Sequence, residues 1–583
     1  MLTPGKPAPL ARRTLWALPL GWALGVLVLT LTPAQAMPVT PVWELLSFDT
    51  AAHAGVFFVL AGLSWFSLRR QRGRPWPAGR AGWAVFGGSV LFGGLIEVLQ
   101  HAMRLGRHGD WTDLLSDGLG AALAVGAATA WTARRARQAR TVVFLALWST
   151  LAPGAWRPLR AQDTARARRT IEQLAAPAMH GRGYVGQGER KAAAYLRGRF
   201  RELRLEPLVP DYTQPFTLDV NTFPGAVELQ LGASSGTTLS LGLRAGQDFI
   251  TAPESNSGSV EEAQVLWLDS AVFTNSEAAQ QLLREPVRQR VVLLRARDAR
   301  RLPLLAPALR QHLDSAAAWI TLVPKLTAAL AGSQAPQPRI ELLAPRWEEA
   351  RRAAAAPLRV RCRVDAVLQR NYQTQNLAAI VRGTAQPDSF LVVSAHYDHL
   401  GAMGANTYFP GANDNASGVA LLLELAAHYA RPENRPAYSV VFLLFGAEEA
   451  GLVGSRYFVA HPLVPLPRIK FLVNLDLLGT GEQGATVVNG RVLEAPYRRL
   501  LALNAAHHYL PQLAPRGPAA NSDHFPFSEA GVPAFFLYTR GGSPAYHDIH
   551  DRPAALSLAG FAGAFGLVRD FLNDLGAAPT SKK

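Results

Sequence analysis

"SVVFLLFGAEEAGLVGS", Ser439 to Ser455, opens as an unbroken apolar run and ends on two neighbouring carboxylates, Glu448 and Glu449, in a glycine-flanked turn. An apolar run of this length, closed by turn residues, predicts a strand inside a buried sheet. Adjacent acids repel and are costly to desolvate at the end of such a strand. They are either a surface turn or two groups with different tasks.

The surroundings choose the fold class. From Asn376 to Leu572 strand and helix patterns alternate, as in "FLVVSAH", "GVALLLELAAHYA" and "IKFLVNLDLLG". That alternation predicts an α/β domain whose functional residues cluster at strand ends. Metal-capable side chains stand at such places: His396 and Asp398 in "SAHYDH", Asp414 in "GANDNASG", Glu448 and Glu449, Asp476 in "NLDLLG", and His547 in "AYHDIHD". Taken singly, His396 reads equally well as a core histidine, Asp414 as a helix cap and Asp476 as a turn residue. Taken together, two imidazoles and three carboxylates beside small residues suit a pair of divalent ions sharing a bridging carboxylate.

The ordered set "SAHYDH", "PGANDNASG", "GAEEAGLVGS", "NLDLLG", "SDHFPF" and "YHDIHD" resembles the M28 family of zinc peptidases, mostly two-zinc aminopeptidases with an α/β fold and a mostly parallel central sheet. The resemblance implies that His396 and Asp476 hold one metal, Glu449 and His547 the other, and that Asp414 bridges. It further implies Glu448 as general base, Asp398 as the carboxylate orienting His396, and Tyr546 as a stabiliser of the oxyanion. A general base beside a metal-acidified water is the chemistry peptide hydrolysis needs at neutral pH. His399 and His550 read as supporting or surface residues, and Ser522, Asp523 and His524 as a segment near the cleft.

The chain has 583 residues, 49% hydrophobic and 17% charged, with a formal charge of +16 and one cysteine, Cys362. One cysteine excludes an intrachain disulfide framework and cysteine-based zinc fingers. The basic residues sit in short runs beside apolar segments rather than among aromatics, which argues against nucleic acid as a partner. Four apolar stretches (Thr14–Leu31, His53–Leu68, Ala81–Leu99, Leu114–Trp131) and a fifth at Thr141–Trp156 predict membrane helices, with the intervening arginines inside and the peptidase outside the cytoplasm. Asp49, His53, Glu97, Gln100, Arg107, Asp110, Asp113, Asp117 and Gly120 resemble the VanZ-like family of small membrane proteins.

The expected organisation is a multi-span domain over 1–138, a fifth apolar segment over 139–160 that is either a span or a signal-like region, and a helical lead-in over 161–215. A strand-rich, protease-associated-type region follows over 216–366, inserted in or preceding the catalytic domain at 367–575. The expected activity is that of a membrane-anchored two-zinc aminopeptidase on peptides, with membrane lipid as a second partner and the oligomeric state open. A glutaminyl-cyclase-like acyltransferase, or an envelope lipid or glycopeptide binder, are the alternatives.

Overall fold

The computed structural model describes residues 17–30, 48–69, 78–103, 116–126, 128–129, 164–233, 241–354 and 357–576. The chain divides into two compact units, Met1–Pro158 and Leu159–Lys583. Each has its own core.

The first unit contains the helices Ala17–Thr30, Phe48–Arg69 and Ala78–Met103 and a helix over 116–126. Ala61, Trp65, Ala81, Val85, Ala121 and Ala124 pack into one cluster, and Val26, Phe57, Leu60 and Ile96 into another. A Cβ at Gly120 would meet the Ala54 carbonyl oxygen at 2.0 Å, so only glycine admits this helix approach. Large apolar side chains remain exposed on these helices, Trp83 and Leu91 at 77% each.

Among the described residues no helix is long and apolar enough to cross a membrane. This corrects the expected transmembrane domain, the multi-pass localisation, the extracytoplasmic topology and the lipid-facing partner built on it. The described part of the first helix covers 14 residues, fewer than the roughly 20 a span needs. The second and third are longer, but the second carries Asp49, His53 and Arg69, and the third Arg80, Glu97, Gln100 and His101 among several glycines. The VanZ-like reading loses its spans with them. Asp49, His53, Glu97 and Gln100 lie on these helices, Asp117 is buried in the 116–126 helix, and Arg107, Asp110 and Asp113 lie outside the described residues, as does Thr141–Trp156.

The second unit is built on two large sheets. After the helices Thr164–Leu174 and Gly188–Glu202 come β1 (Glu206–Pro207) and β2 (Thr213–Thr222). The strands β3 (Val227–Ala233), β4 (Leu241–Leu243), β5 (Phe249–Thr251), β6 (Gly258–Trp267), β7 (Arg290–Arg295), β8 (Ala318–Val323), β9 (Arg339–Leu343) and β10 (Leu358–Val364) form an eight-stranded sheet in the order β4-β3-β10-β6-β7-β8-β9-β5. The chain then returns as β11 (Val367–Val381), which pairs antiparallel with β2 from Val367↔Thr222 onward. The eight-stranded sheet thus hangs between two strands of another sheet that are paired with each other.

That other sheet adds β12 (Gln386–His396), β15 (Tyr438–Phe445), β16 (Ile469–Leu475), β17 (Ala485–Val488), β18 (Leu513–Pro515) and β19 (Ala534–Thr539); a separate hairpin, β13 (Ala402–Met403) with β14 (Thr407–Tyr408), follows β12. The order is β1-β11-β15-β12-β16-β19-β17-β18, with β2 on β11. The sheet is mixed, which corrects the expectation of a mostly parallel one. β15, β12, β16 and β19 are parallel neighbours, whereas β11 runs antiparallel to β15 and β17 antiparallel to β19. Parallel neighbours need long crossovers, and β11 reaches β12 through residues 382–385 alone.

The central strands are covered on both faces. Along β15, Val440, Phe442 and Leu444 face the larger core with the helix Gly418–Tyr429, while Val441, Leu443 and Phe445 face a second cluster with Phe458 and Phe527. Two-sided burial explains the unbroken apolar run at Val440–Phe445. The carboxyl ends of β12, β15 and β16 then emerge side by side, carrying His396, the Glu448–Glu449 turn and Asp476.

Candidate metal centre

His396 is the last residue of β12 and is buried. Its Nε2 lies 3.3 Å from Asp414 Oδ1 and 3.4 Å from Asp476 Oδ1. On the other side, His547 Nε2 lies 3.1 Å from Asp414 Oδ2 and 3.2 Å from Glu449 Oε2. The two oxygens of Asp414 therefore face different histidines. Glu448 belongs with the first half, since its carboxylate oxygen and ligand atoms of His396 and Asp476 lie within 4.8 Å of one another.

Each group is held from behind. Asp414 sits in the turn before the helix Gly418–Tyr429, where the Asn413 and Asp414 amides donate to the Asp551 carboxylate at 2.8 and 2.9 Å. Asp476 Oδ2 accepts from Ser522 Oγ at 2.8 Å, and Ser522 accepts from Asn474 Nδ2 at 2.8 Å. Glu449 Oε1 is bonded to His399 Nδ1 at 2.6 Å, so His399 is a buried support, while His550 is exposed. Asp523 and His524 are buried in the same region.

Asp398 stands beside His396 and also holds the neighbouring turn. Its Oδ1 accepts from the Glu448 amide at 3.1 Å and its Oδ2 from the Glu449 amide at 3.3 Å. The same carboxylate stands 3.8 Å from His396 Nδ1, and the nearer partner of that nitrogen is the Asp398 carbonyl at 3.3 Å. The carboxylate fixes the turn that carries both glutamates.

Sequence reading missed Arg182. It is the only buried Arg or Lys among the described residues, and its guanidinium donates to five carbonyls: Leu174, Tyr397, Pro410, Gly411 and Asp414. Burial lowers its pKa to about 10 against the pull of Asp414, Asp551, Asp398 and Glu449. The one sequence signal is an arginine between two glycines, Gly181 and Gly183, both pressed against the Gly401 backbone. Asp551 was hidden as one more acid in "HDIHD".

The electrostatics separate the paired glutamates. Burial raises Glu448 well above the ordinary carboxylate range; His396 opposes this, and Glu449 and Asp523 add to it. Burial and Asp414 act in the same sense on Glu449, but His547 and His399 outweigh them and bring it down to about 2. His547 is held up at about 11, since Glu449 and Asp414 overcome its burial. Neighbouring groups with pKa values driven apart are the usual mark of divided acid–base roles.

The donor set fits zinc. Donor atoms around a tetrahedral zinc at about 2.1 Å stand about 3.4 Å apart, and the His–carboxylate spacings here run from 3.1 to 3.4 Å. Asp476 Oδ1 is buried with no hydrogen-bond partner, on the side facing His396. Buried carboxylates this close call for a cation between them.

Residues 376–572 match the family model for peptidase family M28. The C-terminal domain is an M28 peptidase domain. Aminopeptidase YwaD of Bacillus subtilis is 32% identical over 192 residues, 31% of this chain and 40% of that protein. A probable zinc metalloprotease of Pyricularia oryzae is 39% identical over 113 residues, 19% of this chain and 22% of that protein. The matched part thus spans well under half the length of these curated relatives. In fold, a zinc aminopeptidase from Bacillus subtilis gives a TM-score of 0.52 at 20% identity, covering 73% of this chain and 98% of that one. The likeness of fold extends beyond the M28 domain itself.

Proposed function

We propose that the chain is a two-zinc aminopeptidase. The observation that carries this is Asp414, whose Oδ1 and Oδ2 each face a different histidine, His396 and His547, with Asp476 and Glu449 completing the two halves. In this reading Asp414 would be the carboxylate shared by the two ions. The relatives named as aminopeptidases support removal of N-terminal residues from peptides as the reaction.

When bound, zinc supplies Lewis acidity, polarising the scissile carbonyl and letting water lose a proton near neutral pH. Glu448 would take a proton from the attacking water and pass it to the leaving amine, a task suited to a carboxylate whose proton affinity is raised. Asp398 keeps Glu448 on station through its amide. Tyr546 lies half-exposed (45%) and stacked on the His547 ring at 4.0 Å, where its hydroxyl can donate to the carbonyl oxygen as it becomes anionic.

The test is hydrolysis of aminoacyl p-nitroanilides and of free and N-acetylated peptides by the full chain, with zinc content measured alongside. Two zinc ions per chain and chelator-sensitive release of the N-terminal residue are expected. Cleavage of N-acetylated peptides at equal rate would overturn the exopeptidase reading. Pyroglutamyl products would favour the cyclase chemistry instead.

A further inference from the structure

The connector between β8 and β9, residues 324–338, has no regular secondary structure. Connectors of this length without secondary structure are uncommon in compact domains and are usually either functional segments or linkers. This one leaves its own sheet and lies against the segment that carries His547. The Ala328 carbonyl is 2.9 Å from His547 Nδ1, and the Ala328 amide donates to the His547 carbonyl at 2.9 Å. Lys325 Nζ donates to the Pro544 carbonyl at 3.2 Å and stands 3.7 Å from Asp548 Oδ2.

The connector is itself anchored. Leu326 and Ala328 are buried in the core of the eight-stranded sheet, and the Ala331 carbonyl accepts from the Asn221 amide at 2.7 Å. Beneath it, Tyr184, Phe223, Leu330, Leu400 and Phe409 close around a cavity of only about 20 Å³. The seat is packed rather than loose.

A carbonyl only accepts, so His547 Nδ1 carries the hydrogen, and Nε2 is the nitrogen that would offer its lone pair to an ion held between it and the Asp414 and Glu449 carboxylates. Such an outer bond fixes the tautomer and plane of a metal-binding imidazole. The two histidines differ in where that bond comes from. His396 has a carbonyl two residues along its own chain, that of Asp398. His547 depends on a carbonyl from the other sheet.

We infer that the β8–β9 connector, with Ala328 as its positioning residue, sets the metal affinity of the His547–Glu449 half of the site and leaves the His396–Asp476 half unaffected. The inference rests on the two-zinc reading. It makes the eight-stranded domain a working part of the metal centre, and movement of the connector loosens one ion before the other.

The experiment uses the full chain and three substitutions. Ala328→Pro removes the amide that donates to His547; Lys325→Met removes both polar contacts to residues 544 and 548 and keeps the aliphatic stem; Ala328→Gly keeps both backbone bonds. Zinc per chain is measured after equilibrium dialysis against buffered free zinc, with circular dichroism of the metal-free proteins as the folding control. Wild type and Ala328→Gly hold two ions. Ala328→Pro and Lys325→Met hold one with unchanged affinity and the second about 10- to 100-fold more weakly. Should Ala328→Pro fail to fold, Lys325→Met decides alone. Two unweakened ions in Lys325→Met, or equal weakening of both, overturns the inference while two zinc in wild type keeps the parent reading. Fewer than two in wild type overturns the parent reading itself.

Discussion

At the scale of residues, Glu448 and Glu449 share a turn and an anchor, Asp398, yet face different neighbours. Separate substitutions distinguish them. Glu448→Gln is expected to retain zinc and lower kcat by about 10²- to 10⁴-fold, read by steady-state kinetics with metal analysis on the same sample. Glu449→Gln is expected to lose one zinc instead, because it replaces an anionic ligand facing His547 by a neutral amide and weakens the charge-assisted bond to His399. Arg182 belongs to the same scale. Arg182→Lys cannot reach five carbonyls, and the buried acceptors it abandons are expected to cost about 3 kcal/mol or more, measured by urea unfolding of the metal-free protein.

Among the elements, β9 carries an internal pH response. Burial, with Glu254 nearby, pushes Glu341 up to about 7. A carboxyl whose folded pKa is raised contributes its full stability below the ordinary value of 4.5 and loses it as pH rises toward 7. Glu341→Gln is therefore expected to melt with wild type near pH 4 and several degrees above it at pH 8, as scanning calorimetry would show. How much of these elements was legible in the sequence follows from the same physics. β15 and β12 were plain because two-sided burial writes an unbroken apolar run. The direction of β11 was not, since strand polarity depends on crossover length and on a partner, β2, that lies beyond the eight-stranded sheet. The candidate ligands were legible because each ends a strand or turn beside small residues. Arg182, Asp551 and Ala328 were not, because a clamp on carbonyls, an acceptor for amides and a backbone carbonyl have no side-chain signature. The first-unit helices were misread because the charged residues along them were taken as functional groups within spans rather than as limits on a span.

For the molecule as a whole, Leu159–Lys583 is a compact unit that contains every group of the candidate metal centre. A fragment with these bounds is expected to keep kcat/KM for aminoacyl p-nitroanilides within about two-fold of the full chain. Chelation should lower the melting temperature of either protein, and zinc should restore it, since a ligand bound only by the folded state stabilises by mass action. The ribbon of β2 and β11 has a further consequence, for biogenesis. Thr222 and Val367, bonded to each other, are 145 residues apart, so during synthesis β2 emerges long before its partner. Prior folding of the intervening domain is expected to bring the two ends together, replacing a long, entropically costly closure by a short one. A lesion deep in the eight-stranded sheet would then register as poor yield and aggregation through the unpaired edge of β2, even where the zinc ligands themselves are untouched.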